Sequence, residues 1–439
     1  MGTNQKIAVV GSGIAGMGAA WALSKNHQVT LFESENRLGG HANTFDLPDG
    51  KGSVPVDTGF IVYNERNYPN LVRLFEEASV PTEPSDMSFA VSMGRGQFEY
   101  KGSATGLLAQ PSNLLRPSYT RMVRDILRFN REATALLGSG SQETTGDFLS
   151  RENYSKHFID DFLLPMIGCI WSSKLDEMLS YPAETLVGFL DNHGLLQVRN
   201  RPRWRTVAGG SREYVSRLAL EETADVRLAS PVARVVRDDD GVTVRTPGGS
   251  DEVFDHVVFA THADTTLEIL GSDATPEERQ TLGSFRYQDN TAVLHRDPSL
   301  MPVRRRAWSS WNYLAEGRSE EDRQGRVSLT YWMNRLQNLR TVEPVFVTLN
   351  PTREPRDPVA TFNYCHPIYD SAAVKAQARL ADIQGSERLW FAGAWSGYGF
   401  HEDGLRSGLE VAAALGSPAP WMMDGVALLP PRHDVAAVA

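Results

Sequence analysis

The sequence has few cysteines, no long apolar run and no excess of positive charge. Cysteine occurs only as Cys169 and Cys365 among 439 residues, which provides no disulfide framework and suits a reducing compartment. No stretch reaches the roughly 18 apolar residues that span a membrane, and the N-terminus lacks the pattern of a secretory signal peptide. The net charge of −10 argues against nucleic acid as a partner, because phosphate neutralisation needs a basic surface. We therefore expect a cytoplasmic protein.

The composition is that of a globular chain too long for one compact core. Hydrophobic residues make up 41% and charged residues 22% of the sequence, as in ordinary globular proteins. At 439 residues, two domains or one discontinuous pair are expected. His, Asp and Glu do not fall at metal-ligand spacing, so the sequence predicts no metal site.

The N-terminus carries a dinucleotide-binding pattern. Residues 6–10 form an apolar run typical of a buried parallel strand, an Ala-rich helix follows, and Gln28–Glu33 returns as a second strand. Glycines between the first strand and the helix permit a tight turn, close approach of a pyrophosphate and close packing. Glu33 ends the second strand, where a carboxylate accepts ribose hydroxyls. The pattern predicts these cofactor contacts: Gly11, Gly13, Ile14, Ala15, Gly16 and Glu33.

A second pattern, Glu33-x-x-x-Arg37-x-Gly39-Gly40, is followed by Asp57-Thr58-Gly59. The glycine pair lets the backbone pass close to a bulky ligand, because neither position carries a side chain. With these residues the chain resembles the flavin amine oxidase and phytoene desaturase superfamily. The resemblance implies FAD as the cofactor and places Val232 at its adenine. It also implies these further contacts: Ser34, Arg37, Gly39, Gly40, His41, Thr58 and Gly59.

Residues 389–404 form the third pattern, an apolar strand followed by glycines and a helix that begins near Asp403. The resemblance implies that this segment reaches the flavin ring. A helix N-terminus there would stabilise the negative charge that reduction places on the flavin. We expect cofactor contacts at Gly393, Ala394, Asp403, Gly404 and Leu405. The segment has no cysteine, so FAD is expected to bind non-covalently.

The resemblance implies an α/β fold with an α+β substrate part, in which a Rossmann-like FAD-binding domain carries a discontinuous, amine-oxidase-like substrate domain. The FAD-binding domain is assigned to residues 1–85, 205–265 and 385–425. The substrate domain is assigned to residues 86–204 and 266–384, and residues 426–439 to a tail.

The sequence departs from the amine oxidase pattern in several places. Those enzymes usually carry arginines where Glu35 and His41 stand here. Tyr398 matches one of the two tyrosines of their aromatic cage, and the second tyrosine is not placed. The phrases around His401, around Ala260-Thr-His262 and around Gly39-Gly40-His41 resemble a narrower bacterial group. That group contains the flavoprotein fatty acid desaturases of furan fatty acid synthesis, which occur with cyclopropane-fatty-acid-synthase-like methyltransferases.

This narrower resemblance implies hydride removal from a methylated, unsaturated fatty acyl chain, free or carried on phospholipid. His401 is the first candidate for a catalytic group near the flavin, with a supporting hydrogen-bond role as its alternative, and Tyr398 is the second candidate. His262 and His366 are interpreted as structural. Several aromatic side chains could line an apolar pocket, and a role in the hydrophobic core is the alternative for most of them. The pocket candidates are Trp171, Trp332, Asn334 and Trp395.

Two arginine–tryptophan clusters stand out in the acidic chain. Arginine with tryptophan suits an anionic membrane interface, where guanidinium groups meet phosphates and indoles lie at headgroup depth. Solvated loops or internal ion pairs are the alternative. The candidates for peripheral contact with phospholipid at the inner face of the membrane are Arg201, Arg203, Trp204, Arg205, Arg304 and Arg305.

Three other functions remain open at this point. The first is an amine oxidase that passes electrons to dioxygen, and the second is a carotenoid-type desaturase or isomerase. The third is a lipid-escort protein that has lost its flavin, which the intact FAD patterns disfavour. The sequence does not determine the double-bond position, the electron acceptor, the catalytic base or the oligomeric state.

Overall fold

In the computed structural model, residues 4–103, 105–171, 178–197, 201–249, 251–317 and 327–423 are described. The α-helices span Ile14–Leu23, Pro69–Glu77, Pro117–Glu132, Thr145–Arg151, Lys156–Phe158, Leu164–Trp171, Ala183–Asn192, Arg212–Arg217, Leu220–Thr223, Ala263–Leu270, Pro276–Leu282, Met333–Leu336, Ser371–Ile383, His401–Ala414 and Pro420–Met423. The strands span Lys6–Val10, Gln28–Phe32, Thr44–Asp49, Gly52–Asp57, Tyr63–Asn64, Thr82–Pro84, Phe89–Met93, Phe98–Lys101, Trp204–Val207, Asp225–Arg227, Arg234–Arg237, Val242–Arg245, Glu252–Phe254, His256–Phe259, Arg286–His295, Trp311–Ala315, Ser328–Trp332, Phe346–Leu349, Pro358–Ile368 and Leu389–Phe391.

A five-stranded parallel sheet carries the dinucleotide pattern. Its strands lie in the order Asp225–Arg227, Gln28–Phe32, Lys6–Val10, His256–Phe259 and Leu389–Phe391. The central strands read as nearly continuous apolar runs because helices and loops cover both of their faces. Since ligands of such sheets bind beyond the carboxyl ends of the strands, this edge is the place to look for the cofactor. The predicted α/β fold is confirmed.

The first helix, Ile14–Leu23, is buried on almost all sides and packs against the C-terminal helix, His401–Ala414. A Cβ atom at Gly408 would lie 2.1 Å from the Ala15 carbonyl oxygen, so the two backbones meet where only glycine fits. The Leu405 side chain is fully buried beside Gly18. The Leu405 side chain therefore fills this helix interface, and the predicted cofactor contact at Leu405 stays a prediction.

A seven-stranded sheet, here called the large sheet, forms the second part of the molecule. Its strands lie in the order Pro358–Ile368, Arg286–His295, Phe346–Leu349, Ser328–Trp332, Trp311–Ala315, Phe89–Met93 and Phe98–Lys101. One face packs on helices between residues 117 and 192 and forms a large apolar core. The opposite face carries a small cluster of Met301, Trp308, Trp332 and Phe346.

The last described helix packs against the first two helices. The Trp421 ring is buried, stacks on Trp21 at 5.7 Å and donates from Nε1 to Asn70 Oδ1 at 3.0 Å. Residues 424–439, which include the predicted tail at 426–439, lie outside the described residues. No helix in the described part of the chain is long and apolar enough to cross a membrane.

Candidate functional site

The pyrophosphate end of the site is formed by two glycine turns. Gly13 is the N-cap of the first helix and provides no capping side chain, so the first helical N–H groups face an anion site. A Cβ at Gly40 would lie 3.0 Å from the Gly13 Cα, whereas a Cβ at Gly13 would meet nothing within 4 Å. The two turns therefore form a cradle that a side chain at position 40 would obstruct. This geometry fits the pyrophosphate of a dinucleotide.

The ribose acid is held in place by backbone donors. The buried Glu33 carboxylate accepts from Ser12 N at 2.9 Å and from Glu35 N at 2.8 Å, and the Ser34 hydroxyl donates at 3.1 Å. Ser230 N donates to the Glu33 carbonyl oxygen at 2.8 Å, which brings the segment containing Val232 alongside. The acid and the predicted adenine-side residue thus meet at one edge of the parallel sheet.

Arg37 shapes the glycine loop. Its guanidinium donates from Nη2 to Gly40 O at 2.9 Å and from Nη1 to Ala42 O at 3.3 Å. Gly39 and Gly40 both have positive φ, +110° and +55°, which the guanidinium bonds stabilise. The resemblance placed Arg37 at the cofactor, and the structure shows how it also fixes the backbone that approaches the cofactor.

Asp57 links this loop region to the large sheet. Its buried carboxylate accepts from Ser211 N at 2.9 Å, Thr44 Oγ1 at 2.6 Å and Gln337 Nε2 at 2.8 Å. The Gln337 Oε1 atom accepts from Asp57 N at 2.8 Å. Burial raises the pKa of Asp57 to about 6. The hydrogen bonds to three other segments show that this carboxyl holds the fold together.

A hydrogen-bonded triangle joins Thr58 to the large sheet. The Tyr364 hydroxyl lies 2.7 Å from Thr58 Oγ1 and accepts from Asn43 Nδ2 at 3.0 Å, and the same Asn43 amide donates to Thr58 at 2.9 Å. Gly59 follows, where a Cβ would lie 2.2 Å from the His41 carbonyl oxygen. Tyr364 is therefore fixed where the glycine loop and the segment after Asp57 meet the large sheet.

The C-terminal helix begins at His401, about two residues before the predicted start. The buried Asp403 carboxylate accepts from Phe400 N at 3.0 Å and pairs with Arg406 at 3.1 Å, so it caps this helix. Ser407 Oγ accepts from Gly393 N at 2.9 Å and fixes the glycine turn before Ala394. Asp403 thus holds the helix N-terminus in position, and Gly404 packs on Ile14 of the first helix.

His401 already has partners on both sides. Its ring stacks on Phe60 with a centroid separation of 3.8 Å, and its Nε2 lies 2.8 Å from the Tyr214 hydroxyl. Burial lowers the pKa of His401 to about 3, so the imidazole is neutral. The geometry favours the supporting hydrogen-bond role over proton transfer, and a catalytic role for His401 stays a prediction.

Tyr398 and Trp171 lie together on the helical side of the large sheet. Trp171 Nε1 donates to the Tyr398 carbonyl oxygen at 3.4 Å, and the Tyr398 ring lies 5.7 Å from Phe189. Burial raises the pKa of Tyr398 to about 12. Trp171 is buried against Tyr181 and Phe189, so it belongs to the aromatic cluster that Tyr398 contacts.

Three of the predicted pocket residues lie elsewhere. The Trp332 ring packs on Trp308 at 5.3 Å, on the face of the large sheet that points away from the helical core. Asn334 donates to Leu339 O and Thr341 Oγ1 and accepts from Val345 N, which closes a loop. Trp395 is a core residue whose Nε1 donates to Thr261 O at 3.1 Å. Strand alternation places the neighbouring Tyr331, and not Trp332, toward the helices.

Neutral imidazoles gather beside the flavin loop, a feature that the sequence did not reveal. His41 lies 4.9 Å from the Tyr364 ring and 5.3 Å from the His366 ring. Asn290 Nδ2 lies 3.1 Å from His366 Nδ1, and the His262 ring stacks on Tyr287 at 4.4 Å. Burial lowers the pKa of His41 well below its usual value, with smaller effects from the neighbouring His366 and His262.

Burial also lowers the pKa of His366 to about 4 and lowers that of His262. The described residues contain no group of three or more His, Cys, Asp or Glu side chains that could hold a metal ion. The imidazoles are therefore neutral at physiological pH. A signal was present in the alternation of residues 362, 364 and 366 along one strand, but their face was unknown.

The helical side of the large sheet is apolar beyond this point. Ala292 pairs with Phe362 on one side and with Leu349 on the other. The row continues with the following residues: Leu329, Tyr313 and Val91. The two preceding rows on the same face contain the pairs Asn290–Tyr364 and Gln288–His366. None of the side chains in these rows is charged.

The second arginine cluster is largely committed to the fold. Arg304 pairs with the fully buried Glu99 at 3.0 Å. Trp308 is buried and donates from Nε1 to Pro302 O at 2.8 Å, so its indole is unavailable at headgroup depth. Arg305 is exposed and lies over the Trp308 ring at 4.7 Å.

The first arginine cluster divides in the same way. Arg205 donates to Thr82 and lies 3.7 Å from Glu65, so it holds an antiparallel strand pair. Arg201 and Arg203 are exposed, Trp204 is half-buried, and Arg199 lies outside the described residues. Arg205 and Arg304 therefore follow the ion-pair alternative.

The comparisons with known proteins agree with this site. Residues 14–335 match the family of flavin containing amine oxidoreductases, and the chain belongs to that family. It is 27% identical over 270 residues to a protein of Mycobacterium tuberculosis that is named as the flavin-containing monoamine oxidase AofH. The aligned region covers 56% of this chain and 54% of that protein. The glycine cradle and Glu33 fit the non-covalently bound FAD that is expected of a member of this family.

Solved structures show the same fold. A fatty acid isomerase from P. acnes, described as producing CLA, superposes with a TM-score of 0.68 at 14% identity and covers 95% of this chain and 99% of its own. Cyclohexylamine oxidase from Brevibacterium oxydans superposes with a TM-score of 0.66 at 16% identity and covers 94% and 98%. The chain spans little more than half the length of the curated relatives it matches.

Proposed function

We propose that the protein is an FAD-dependent desaturase of methylated, unsaturated fatty acyl chains, as in furan fatty acid synthesis. The observation that carries the proposal is the uncharged, apolar row from Phe362 to Val91 across the large sheet, which starts beside the neutral imidazoles at the flavin loop. Most of these side chains are buried beneath the helices, and an apolar lining of this kind would suit a long acyl chain held against the flavin. We further propose that the acyl chain of the substrate is carried on phospholipid. The enzyme would then be cytoplasmic and bind its substrate at the inner face of the membrane.

The reaction removes two hydrogens from the acyl chain. When bound, FAD accepts a hydride at N5. A hydride leaves the allylic carbon, a proton leaves the neighbouring carbon, and the new double bond gives a methylated diene. The protein orients the chain, excludes water and accepts the proton.

We assign the proton acceptor to the neutral imidazoles beside Tyr364, with His41 as their central member. The His41 ring lies between the rings of Tyr364 and His366, at 4.9 Å and 5.3 Å. Nε2 of His401 is already engaged by Tyr214, and Nδ1 of His366 by Asn290. A neutral imidazole retains one lone pair, so it can take a proton without first losing one.

Oxidation of an amine is the second candidate, because two of the similar proteins are named as a monoamine oxidase and a cyclohexylamine oxidase. A cationic amine is most simply held by a free carboxylate. Near the flavin loops, Asp57 is bonded to Thr44, Ser211 and Gln337, and Asp403 to Phe400 and Arg406. Both carboxylates are thus already engaged by donors within the fold. The fatty acid isomerase among the structural neighbours supports an acyl substrate on this fold.

Anaerobic reduction of the flavin tests the proposal. The yellow protein is mixed with a methylated monounsaturated phospholipid or with amines, and the flavin absorbance band is followed in parallel. Bleaching by the lipid, with a diene detected by mass spectrometry, supports acyl desaturation. Bleaching by amines alone would overturn the desaturase assignment in favour of amine oxidation, and a double-bond shift without net bleaching would indicate isomerisation.

A further inference from the structure

We propose that the protein docks on anionic lipid bilayers through one surface beside the edge strand Phe98–Lys101. We call this surface the docking face and define it by Leu108, Leu114, Leu115, Val303, Arg305 and Arg306. The inference deepens the proposed function, since it names where a lipid substrate is met. Its physical argument uses only exposure, contiguity and charge.

The docking face exposes an unusual amount of apolar surface. Leu115 is 86% exposed and Val303 is 70% exposed, and Leu108 and Leu114 are each 49% exposed. Single exposed apolar side chains are common on soluble proteins and need no explanation. Several together, with arginines among them, are typical of a surface that another phase or molecule covers.

Contacts around one buried acid bring the two segments of this face together. The Glu99 carboxylate accepts from Val303 N at 2.6 Å and from Arg304 N at 3.0 Å. The Glu99 carbonyl oxygen accepts from Asn113 Nδ2 at 2.9 Å, which holds the turn Pro111–Leu115. Leu108 and Arg306 line one surface depression. The leucines and the arginines are therefore contiguous.

The charge of these segments identifies the partner. Residues 100–124 and 298–312 contain no Asp or Glu, although the whole chain has a net charge of −10. Arg305 and Arg306 are exposed, as are Arg121 and Arg124 on the adjoining helix. Arginines attract an anionic surface, and exposed leucines gain stability only where they can leave water. An anionic bilayer offers both, whereas a soluble polyanion offers only the charge.

The docking face leads toward the apolar side of the large sheet. Gly102 N donates to Phe89 O at 2.8 Å, just before the turn that carries Leu108. Phe89 pairs with Trp311, and Trp311 with Tyr331. These three half-buried rings border the apolar core of the substrate side. A lipid chain that leaves the bilayer at this face would therefore meet aromatic surface first.

Vesicle co-sedimentation of the full-length, FAD-loaded protein tests the inference without turnover. We expect binding to vesicles of mixed phosphatidylglycerol and phosphatidylcholine, little binding to phosphatidylcholine alone, and loss of binding at high salt. Leu115→Ser and Arg306→Gln should each weaken binding about fivefold. The matched controls are Val342→Ser, at a valine that is 82% exposed, and Arg340→Gln, at an exposed arginine; both should bind as the unmodified protein does.

Equal binding to neutral and anionic vesicles, or an equal loss in the control variants, would overturn the inference. The inference would also be overturned if a single-stranded oligonucleotide competed with the vesicles and Leu115→Ser did not change binding, because that pattern indicates a polyanion site. Flavin absorbance and thermal midpoint confirm that each variant is folded. Vesicle binding is measured without turnover, so its result can be interpreted even if the protein does not desaturate acyl chains. The two proposals can therefore fail separately.

Discussion

The carboxylate of Glu402 caps the helix Pro69–Glu77, which begins more than three hundred positions earlier in the chain. It accepts from Asn70 N at 3.0 Å, from Asn70 Nδ2 at 2.7 Å and from Leu71 N at 3.0 Å. The acid stands in the segment that reaches toward the flavin, yet it serves the packing of two helices. One residue later, Asp403 caps its own helix. Both acids thus hold helix N-termini, and a cofactor contact at Asp403 stays a prediction.

Glu402→Gln tests this role through its pH dependence. Burial raises the pKa of Glu402 to about 7, above its unfolded value of about 4.3. The folded state then binds the extra proton, so the contribution of Glu402 is complete below about pH 4.3 and is lost as the pH rises through 7. We expect the thermal midpoint of the unmodified protein to exceed that of Glu402→Gln by more at pH 5 than at pH 8. A constant difference would contradict the raised pKa.

A glycine pair with matched φ separates cofactor binding from backbone strain. Gly40→Ala should cost about 1–2 kcal/mol of stability through its φ of +55° and should also release FAD, because its Cβ would enter the cradle beside Gly13. Gly50→Ala has a φ of +59° with nothing within 4 Å, so it should carry the strain and keep FAD. The ratio of flavin to protein absorbance measures the difference. Equal FAD loss in both variants would refute the cradle.

The local patterns predicted the secondary structure that carries the expected cofactor contacts. The strand, the glycine turn and the helix around Gly13 are determined by neighbouring residues, so the first 33 positions were sufficient to place the first two strands of the parallel sheet, the helix between them and Glu33. The start of the C-terminal helix was misplaced only slightly, since His401 lies two positions before Asp403. These features depend on residues that are close in sequence.

The substrate half could not be predicted in the same way. Alternation showed that Tyr331 and Trp332 point to opposite faces, but the sequence does not state which face meets the helices. The approach of His41 to His366 depends on how the glycine loop meets a strand more than three hundred positions later in the chain, so the alternation around His366 did not reveal it. The same reason explains why Asn334 was assigned to a pocket when it closes a loop.

His41→Asn and His401→Asn should differ strongly in activity. We expect His41→Asn to slow anaerobic flavin reduction by about 10²–10⁴-fold, the range for loss of a proton-transfer group. His401→Asn should slow it less than about tenfold, because its Nε2 is engaged by Tyr214 and its ring by Phe60. FAD content is measured in both variants. The reverse order would restore His401 as the catalytic group.

The rate of flavin reduction should be constant from about pH 5 to pH 8. Burial lowers the pKa of His366 to about 4 and that of His401 to about 3, and it lowers the pKa of His41 well below 6.5. An imidazole with a lowered pKa stays neutral until the pH falls through that pKa, so the rate should fall only at a pH well below 6.5. A midpoint near 6.5 would mean that the imidazole accepting the proton is exposed to water.

Tyr364→Phe tests whether the triangle with Thr58 and Asn43 positions the site. The variant removes one hydroxyl, which lies 2.7 Å from Thr58 Oγ1 and 3.0 Å from Asn43 Nδ2, and keeps the ring beside His41. Because the ring and the apolar row remain, we expect lipid affinity and FAD content to stay within about twofold while the reduction rate falls about tenfold, the factor set by one lost hydrogen bond of about 1.4 kcal/mol. Tyr287→Phe, on the neighbouring strand, removes a hydroxyl bonded to Ala263 N at 2.7 Å and is the matched control. If both variants slow reduction equally, Tyr364 acts only by supporting the fold, and the proton acceptor must be positioned by another contact.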